Sequence, residues 1–191
     1  MAETYYTIFK RCGLETHKTE ADNGYIGGEY CHEYIAETPV GESRFFVSAD
    51  GSYCAHEDVA QFDRGTVNKG DDVKDMETID QPEWVKTMED NEKHYGKGAE
   101  HFLKNGVYRN VTNDEIIIVV IRGDLDVNKT KVEQKLNLVG QLEVATDEDL
   151  ARLGTKSGYV HSWGHDARYV GDVSLETVTN FIGGQKTDTT D

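Results

Sequence analysis

The stretch VVIRGDLDVNKTK, residues 119–131, decides how the rest of the chain is read. It begins inside the chain's longest unbroken apolar run, residues 116–121. That run is far too short to span a membrane and suits a buried strand. Upstream, residues 106–111 and 115–122 read as two strands joined by Thr112-Asn113-Asp114, a hairpin-type connection. Downstream, residues 128–136 read as a helix carrying Lys129, Lys131 and Lys135.

Toward the C-terminus, residues 142–145 read as a strand and 146–153 as a helix. Thr146 is its cap and Asp149 stands where a capping box usually has Glu. Gly154 ends that helix. A strand at 169–173 and a short helix at 175–181 follow, then a polar tail from Gly183. Toward the N-terminus, residues 87–95 form a helix with Thr87 as N-cap and Asp90 three residues on. Residues 65–80 are polar, charged and poor in aromatics, the composition of a linker. Before them, Tyr5, Ile8, Phe9 and Cys12 form one helical stripe that stops at Gly13. Residues 14–19 look extended, and Gly24, Gly27 and Gly28 punctuate a turn or bulge before a strand at 29–36. A second strand at 44–48 and a short helix at 55–62 complete the pattern. Strands and helices interleave without strict βαβ regularity, so the expected fold is mixed α/β, or α+β, around a central sheet. The expected division is 1–48, a connector at 49–80, and 81–191.

The chain has 36 acidic and 20 basic residues, a formal charge of −16. That charge argues against broad binding along a phosphate backbone, but not against a grip on the end of a nucleic acid through a local basic patch. The three cysteines, Cys12, Cys31 and Cys54, are too sparse for a disulfide framework. Cys31-His32 and Cys54-Ala55-His56 do not have a standard zinc spacing, so no metal is expected. Residues 1–10 lack the basic start and apolar stretch of a secretory signal, which makes a cytoplasmic location the expectation.

Residues 6–42 resemble the segment that follows motif 2 in bacterial-type prolyl-tRNA synthetases. The matches are Ile8-Phe9, Arg11, Gly13-Leu14, Ala21-Asp22, Gly24, Ile26-Gly27-Gly28, His32-Glu33 and Gly41-Glu42. Cys31 stands where the family has serine and Tyr34 where it has phenylalanine. Residues 53–60 resemble the next segment, with His56 in place of asparagine. The second half resembles the YbaK-like editing domain inserted in the same enzymes. Arg122, Gly123, Asp124, Asn128 and Lys131 match its signature, and Ala145-Thr146, Asp172 and Asn180-Phe181 match later segments. The family's motifs 1, 2 and 3 are absent, so the resemblance implies an internal portion of the synthetase: a small piece of class II core plus the editing domain.

That resemblance implies hydrolysis of mischarged alanyl-tRNA(Pro). A proline pocket cannot strongly reject a smaller amino acid, since a methylene is worth only about 1–3 kcal/mol, and a second, smaller pocket clears the error. Ester hydrolysis needs a positioned carbonyl, a water and oxyanion stabilisation, and no Ser, Cys and His pattern offers a side-chain nucleophile. The resemblance therefore implies substrate-assisted attack using the terminal ribose hydroxyl and backbone N–H groups.

Lys104 matches a family lysine that would pin the phosphate or ribose of the terminal adenosine, although Asn105-Gly106 replace the usual residues beside it. Asp172 matches a pocket-lining aspartate; its other reading is a helix cap. Gly158, His161, Ser162 and Gly184 are the expected substrate-binding positions, with Arg122 and Lys131. Arg122 with Asp124 also reads as a structural ion pair, and Lys131 as part of a solvated helix face. The family's Gly-Pro at the end of the 158–162 loop is lost here, and so is its His-Tyr near residues 189–191. These departures leave, as the alternative, a non-catalytic module that holds the tRNA acceptor end, or a degenerate insertion domain. His32 and Glu33 would wall the aminoacylation site of the parent enzyme, or only brace their strand. The implied partners are the tRNA(Pro) acceptor end and its alanine or proline esters, with no membrane. Editing needs no cofactor; ATP, magnesium and a homodimer are implied only for the complete synthetase.

Overall fold

The computed structural model describes residues 2–24, 28, 30–183, 187 and 190 of the 191. They divide into two compact units, Met1–Asp63 and Arg64–Asp191.

The first unit holds helix α1 (Ala2–Arg11) and strands β1 (His17–Glu20), β2 (His32–Ile35), β3 (Phe45–Val47) and β4 (Cys54–His56). The strands form one sheet in the order β2-β1-β4-β3. The stripe predicted on α1 buries none of its residues fully. Its Tyr5 and Phe9 lean on Tyr34, with ring centroids 5.9 and 5.7 Å away, and the Tyr34 hydroxyl donates to the Ala2 carbonyl at 2.7 Å. The short helix expected at 55–62 is instead β4 followed by turns. Ala55 is fully buried opposite Phe46, and this pairing overrides a weak local helical preference.

The second unit is built on β5 (Leu103–Asn110), β6 (Ile116–Arg122), β7 (Leu142–Val144) and β8 (Arg168–Gly171), in the order β7-β5-β6-β8. Only the β6–β8 pair is parallel. Every residue of β6 is buried, as its apolar run requires, because a central strand with both faces covered needs no polar alternation. Helices α2 (Met88–Tyr95), α3 (Lys129–Leu136) and α4 (Asp147–Arg152) flank the sheet strands in the chain. Thr87 with Asp90 and Thr146 with Asp149 each close a capping box, and Asn128 caps α3 by accepting from the Lys131 amide at 3.0 Å. The core gathers Tyr108, Ile117, Val119 and Leu142, covered by Val127, Val132 and Leu136 from α3 and its approach.

Strand β5 starts three residues earlier than its sequence pattern indicates. Gly106 sits inside it because a Cβ there would come 3.0 Å from Val127 Cγ2. Gly123 is held by space of the same kind: a Cβ would lie 2.5 Å from the Ala99 carbonyl oxygen. The helix expected at 175–181 is a 3-10 turn, Val173–Thr177, after which Asn180 takes a left-handed φ of 60°. Residues 65–79 have no helix or strand, yet they are tied down. The Val67 amide donates to Thr177 O at 2.9 Å, Asn68 exchanges two hydrogen bonds with Thr179, and Asn180 bridges Asp72 O and the Lys74 amide. The boundary between units thus falls at 63/64, inside the segment read as a connector, because β4 belongs to the first sheet and residues 67–74 are bonded within the second unit.

Candidate functional site

Alternation along β5 sorts the site. Tyr108 and Gly106 face α3 and its approach, and Lys104 shares that side: its ammonium donates to Leu125 O at 2.9 Å and pairs with Asp126 Oδ1 at 3.0 Å. Asn105 and Val107 face the other way, into a cavity of about 430 Å³ that Lys104 also lines. Its walls include Asn91 of α2, Ala145, Leu150 of α4, and Gly158 and Val160 of the following loop.

Asn105 uses both ends of its side-chain amide to hold that loop. Its Nδ2 donates to Val160 O at 2.7 Å, and its Oδ1 accepts from Ser162 Oγ at 2.9 Å. The loop is also closed on itself, with the Thr155 hydroxyl donating to Tyr159 O at 2.7 Å. Gly158 takes φ +84°, a left-handed conformation that costs a β-carbon-bearing residue roughly 1–2 kcal/mol. Lys156 places its ammonium 4.0 Å from the centre of the Tyr159 ring. These contacts together fix the shape of the 155–162 loop.

His161 leaves the cavity wall to its neighbours. Its Nδ1 lies 2.5 Å from Trp163 O and its ring stacks on that of His165, centroids 4.0 Å apart. Burial pushes the His165 imidazole pKa down, and the neighbouring His161 pushes it further. His165 Nε2 is buried without a hydrogen-bond partner among the described residues.

Arg122, Asp124 and Asp172 form a brace. Arg122 is 6% exposed and clasps Asp124 through Nε and Nη2 at 2.6 and 2.9 Å. Its Nη1 donates to Thr177 Oγ1 at 2.7 Å and to the carbonyls of Arg64 and Gly65. The hydrogen bond to Asp124 holds the guanidinium pKa above its usual value. Burial raises the Asp124 carboxyl, but the contacts of Arg122 outweigh it and the pKa lies below the ordinary one. Asp172 accepts from the Ser174 amide at 2.9 Å, which caps the 3-10 turn. Lys131 lies in the first turn of α3, and Lys129 beside it reaches Glu133 and Leu142 O. Gly184 lies outside the described residues; the preceding Gly183 lines the cavity at φ +148°, where a Cβ would come 3.0 Å from the Leu103 nitrogen.

Of the sequence-predicted positions, the fold brings Gly158 and Ser162 to the Asn105 face of the sheet. Lys104 also lines the cavity, with its ammonium tied to Leu125 O and Asp126, and Arg122 and Asp172 belong to the brace. His32 and Glu33 are exposed on β2, an edge strand of the first unit. Asn91 escaped sequence reading, and Asn105 entered it only as a replacement beside Lys104. Asn91 was findable as a polar residue in the half-buried stripe Met88, Asn91, Glu92, Tyr95 of α2. Among the described residues, no three His, Cys, Asp or Glu side chains converge as a metal site. Nor is any helix long and apolar enough to cross a membrane.

A mixed sheet with capped helices thus borders a cavity walled in part by Asn91 and Asn105. A family model described as an aminoacyl-tRNA editing domain matches residues 82–190, and the chain belongs to that family. It is also 34% identical over 186 residues to the proline--tRNA ligase of Fusobacterium nucleatum subsp. nucleatum, covering 96% of this chain and 32% of that protein. The proline--tRNA ligases of Caldicellulosiruptor saccharolyticus and Bacillus subtilis are 33% and 30% identical, over 98% and 96% of this chain and 32% of each of theirs. The chain thus spans about a third of the length of these curated relatives. A solved structure described as a candidate trans-editing enzyme for prolyl tRNA synthetase superposes on 49% of this chain and 58% of its own, with TM-score 0.43 and 19% identity; the fold assignment does not rest on it.

Proposed function

We propose that the Arg64–Asp191 unit clears a small amino acid from mischarged tRNA, alanyl-tRNA(Pro) being the expected substrate. The observation that carries this reading is the cavity of about 430 Å³ beside a loop clamped by Asn105, within the segment matched to the editing family. The aminoacyl group enters the cavity and the terminal ribose stays outside. A water adds to the ester carbonyl carbon, the bond to the ribose oxygen breaks, and that oxygen leaves with the proton given up by the water. The products are free amino acid and intact tRNA.

The side chains present favour positioning over covalent catalysis. The cysteines all precede residue 64, Ser162 is held by Asn105, and Ser174 accepts from the Arg122 amide. Attack assisted by the terminal ribose hydroxyl fits a site with no activated nucleophile. In this reading Gly158, Val160 and Ser162 shape the amino-acid end of the site. Lys104, Asp172 and Arg122 act as positioning residues for the strand ends and loops that frame it. Aminoacylation with ATP and magnesium, a homodimer, and a role for His32 and Glu33 beside the proline site are proposed for the complete synthetase only.

The test is deacylation of alanyl-tRNA(Pro) by the purified chain, with prolyl-tRNA(Pro) as control. Selective release of alanine is expected. Release of neither amino acid, with acceptor-end binding retained, would select the non-catalytic alternative raised by the altered 158–162 loop.

A further inference from the structure

Helix α2 turns the stripe Met88, Asn91, Glu92 and Tyr95 inward, each residue half-buried. Such a stripe is normally apolar, and a polar member normally has a structural task. Glu92 has one: its Oε1 accepts from the Ala99 amide at 2.8 Å. Asn91 has none. It lines the same cavity as Asn105 and Gly158, and its Oδ1 is buried with no hydrogen-bond partner among the described residues. A buried carbonyl without a donor is uncommon in a folded protein and marks a place where a ligand or water completes the bond.

The side chains of Asn105, Thr87, Lys86 and Lys104 around the cavity are engaged. Asn105 spends its amide on Val160 and Ser162, and the Thr87 hydroxyl is committed to the capping box with Asp90. The Lys86 ammonium lies 3.4 Å from the Tyr159 hydroxyl, and the Lys104 ammonium is tied to Asp126 at 3.0 Å. The missing partner of Asn91 is a donor, and the strong donor of an aminoacyl ester is its α-ammonium group.

We propose that Asn91 is a substrate-binding residue whose side-chain carbonyl accepts a hydrogen bond from the α-ammonium of the aminoacyl group. This rests on the editing reading of the cavity and adds what it lacks, a group that recognises an amino acid rather than any small acyl ester. Asn91 thereby distinguishes an α-amino acyl chain from a plain carboxylic acyl chain of the same size.

Two non-hydrolysable probes test this without depending on catalysis: 3′-alanylamido-3′-deoxyadenosine and its propionylamido counterpart, which lacks only the amino group. Calorimetric titration of the full chain is expected to show the alanyl probe binding roughly tenfold or more tightly, the range for a hydrogen bond to a charged group. Asn91→Leu, close in shape and suited to an inward stripe, should bind both probes equally at the weaker affinity. Asn91→Asp should keep the preference. A wild type that does not prefer the alanyl probe overturns the proposal. So does a preference that survives in Asn91→Leu, and so does binding of neither probe. Deacylation measured alongside separates the two readings. Hydrolysis without dependence on Asn91 removes this inference alone; an Asn91-dependent preference without hydrolysis removes the editing reading alone.

Discussion

Replacing Arg122 by methionine is expected to destabilise the second unit by about 3 kcal/mol, the lower end of the range for breaking a buried ion pair by removing one partner. The structure sets that figure. The Arg122 side chain is 7% exposed and its bidentate contacts to Asp124 are short, but Asp124 keeps 31% of its side-chain surface in water, which softens the cost of leaving it unpaired. Methionine fills much of the same volume, so the loss reflects charge and hydrogen bonds more than a cavity. The bonds to Thr177 and to the carbonyls of Arg64 and Gly65 go as well, releasing residues 64–65 from the end of β6. The assay is urea unfolding followed by tryptophan fluorescence. Both tryptophans, Trp84 and Trp163, lie in the second unit, so the signal reports that unit alone. With an m-value of about 1–3 kcal/mol per molar, the midpoint should fall by roughly 1–3 M. Arg122→Met combined with Asp124→Leu should recover part of the loss, because no uncompensated charge remains. A midpoint for Arg122→Met within about 0.3 M of wild type would refute the brace.

Three further outcomes are expected. Gly123→Ala should cost about 1–3 kcal/mol in the same assay, since its Cβ meets the Ala99 and Phe102 carbonyls and must push them apart; a neutral substitution would contradict the packing there. Asn105→Ala and Ser162→Ala should each speed amide hydrogen exchange in the 158–162 loop. The double variant should add little to Asn105→Ala, because Ser162 acts on the loop through Asn105; simple additivity would mean the clamp is not one unit. The His165 pKa is held below its ordinary 6.5, so between the two values the unfolded chain binds more protons than the folded one. Stability from this residue is therefore present above about 6.5 and is lost as pH falls toward the lower folded value. Unfolding at pH 7.5 and 5.5 should show a smaller drop in His165→Gln than in wild type, and equal drops would count against it.

The second unit was legible in the sequence wherever local chemistry and tertiary environment agree. The apolar run of β6 admits only a buried strand, and the Thr87–Asp90 and Thr146–Asp149 spacings state their helix starts outright. Where packing decides, the sequence misleads. Residues 55–62 carry a weak helical preference that loses to strand pairing at Ala55, and Gly106 looks like a strand start although it is a strand interior closely approached by Val127. Residues 65–80 have a linker's composition, but a few asparagine and backbone contacts to 177–180 suffice to fix part of them. The site was legible only in part for a related reason. Sequence matching finds Lys104 and Ser162 without saying which face of β5 each serves. That depends on strand alternation counted from Leu103, three residues before the expected start. Asn105 entered the reading only as a departure from the family, yet it is the residue that holds the altered loop.

In the proposed function, the cavity on the Asn105 face of β5 receives the aminoacyl end of the substrate. The most direct test is backbone amide NMR on the full chain, titrated with 3′-alanylamido-3′-deoxyadenosine. That placement predicts saturable shifts confined to the amides around Asn91, Asn105, Gly158 and Ser162. Shifts centred instead on Leu125, Asp126 and α3, the side to which Lys104 is tied, would contradict it.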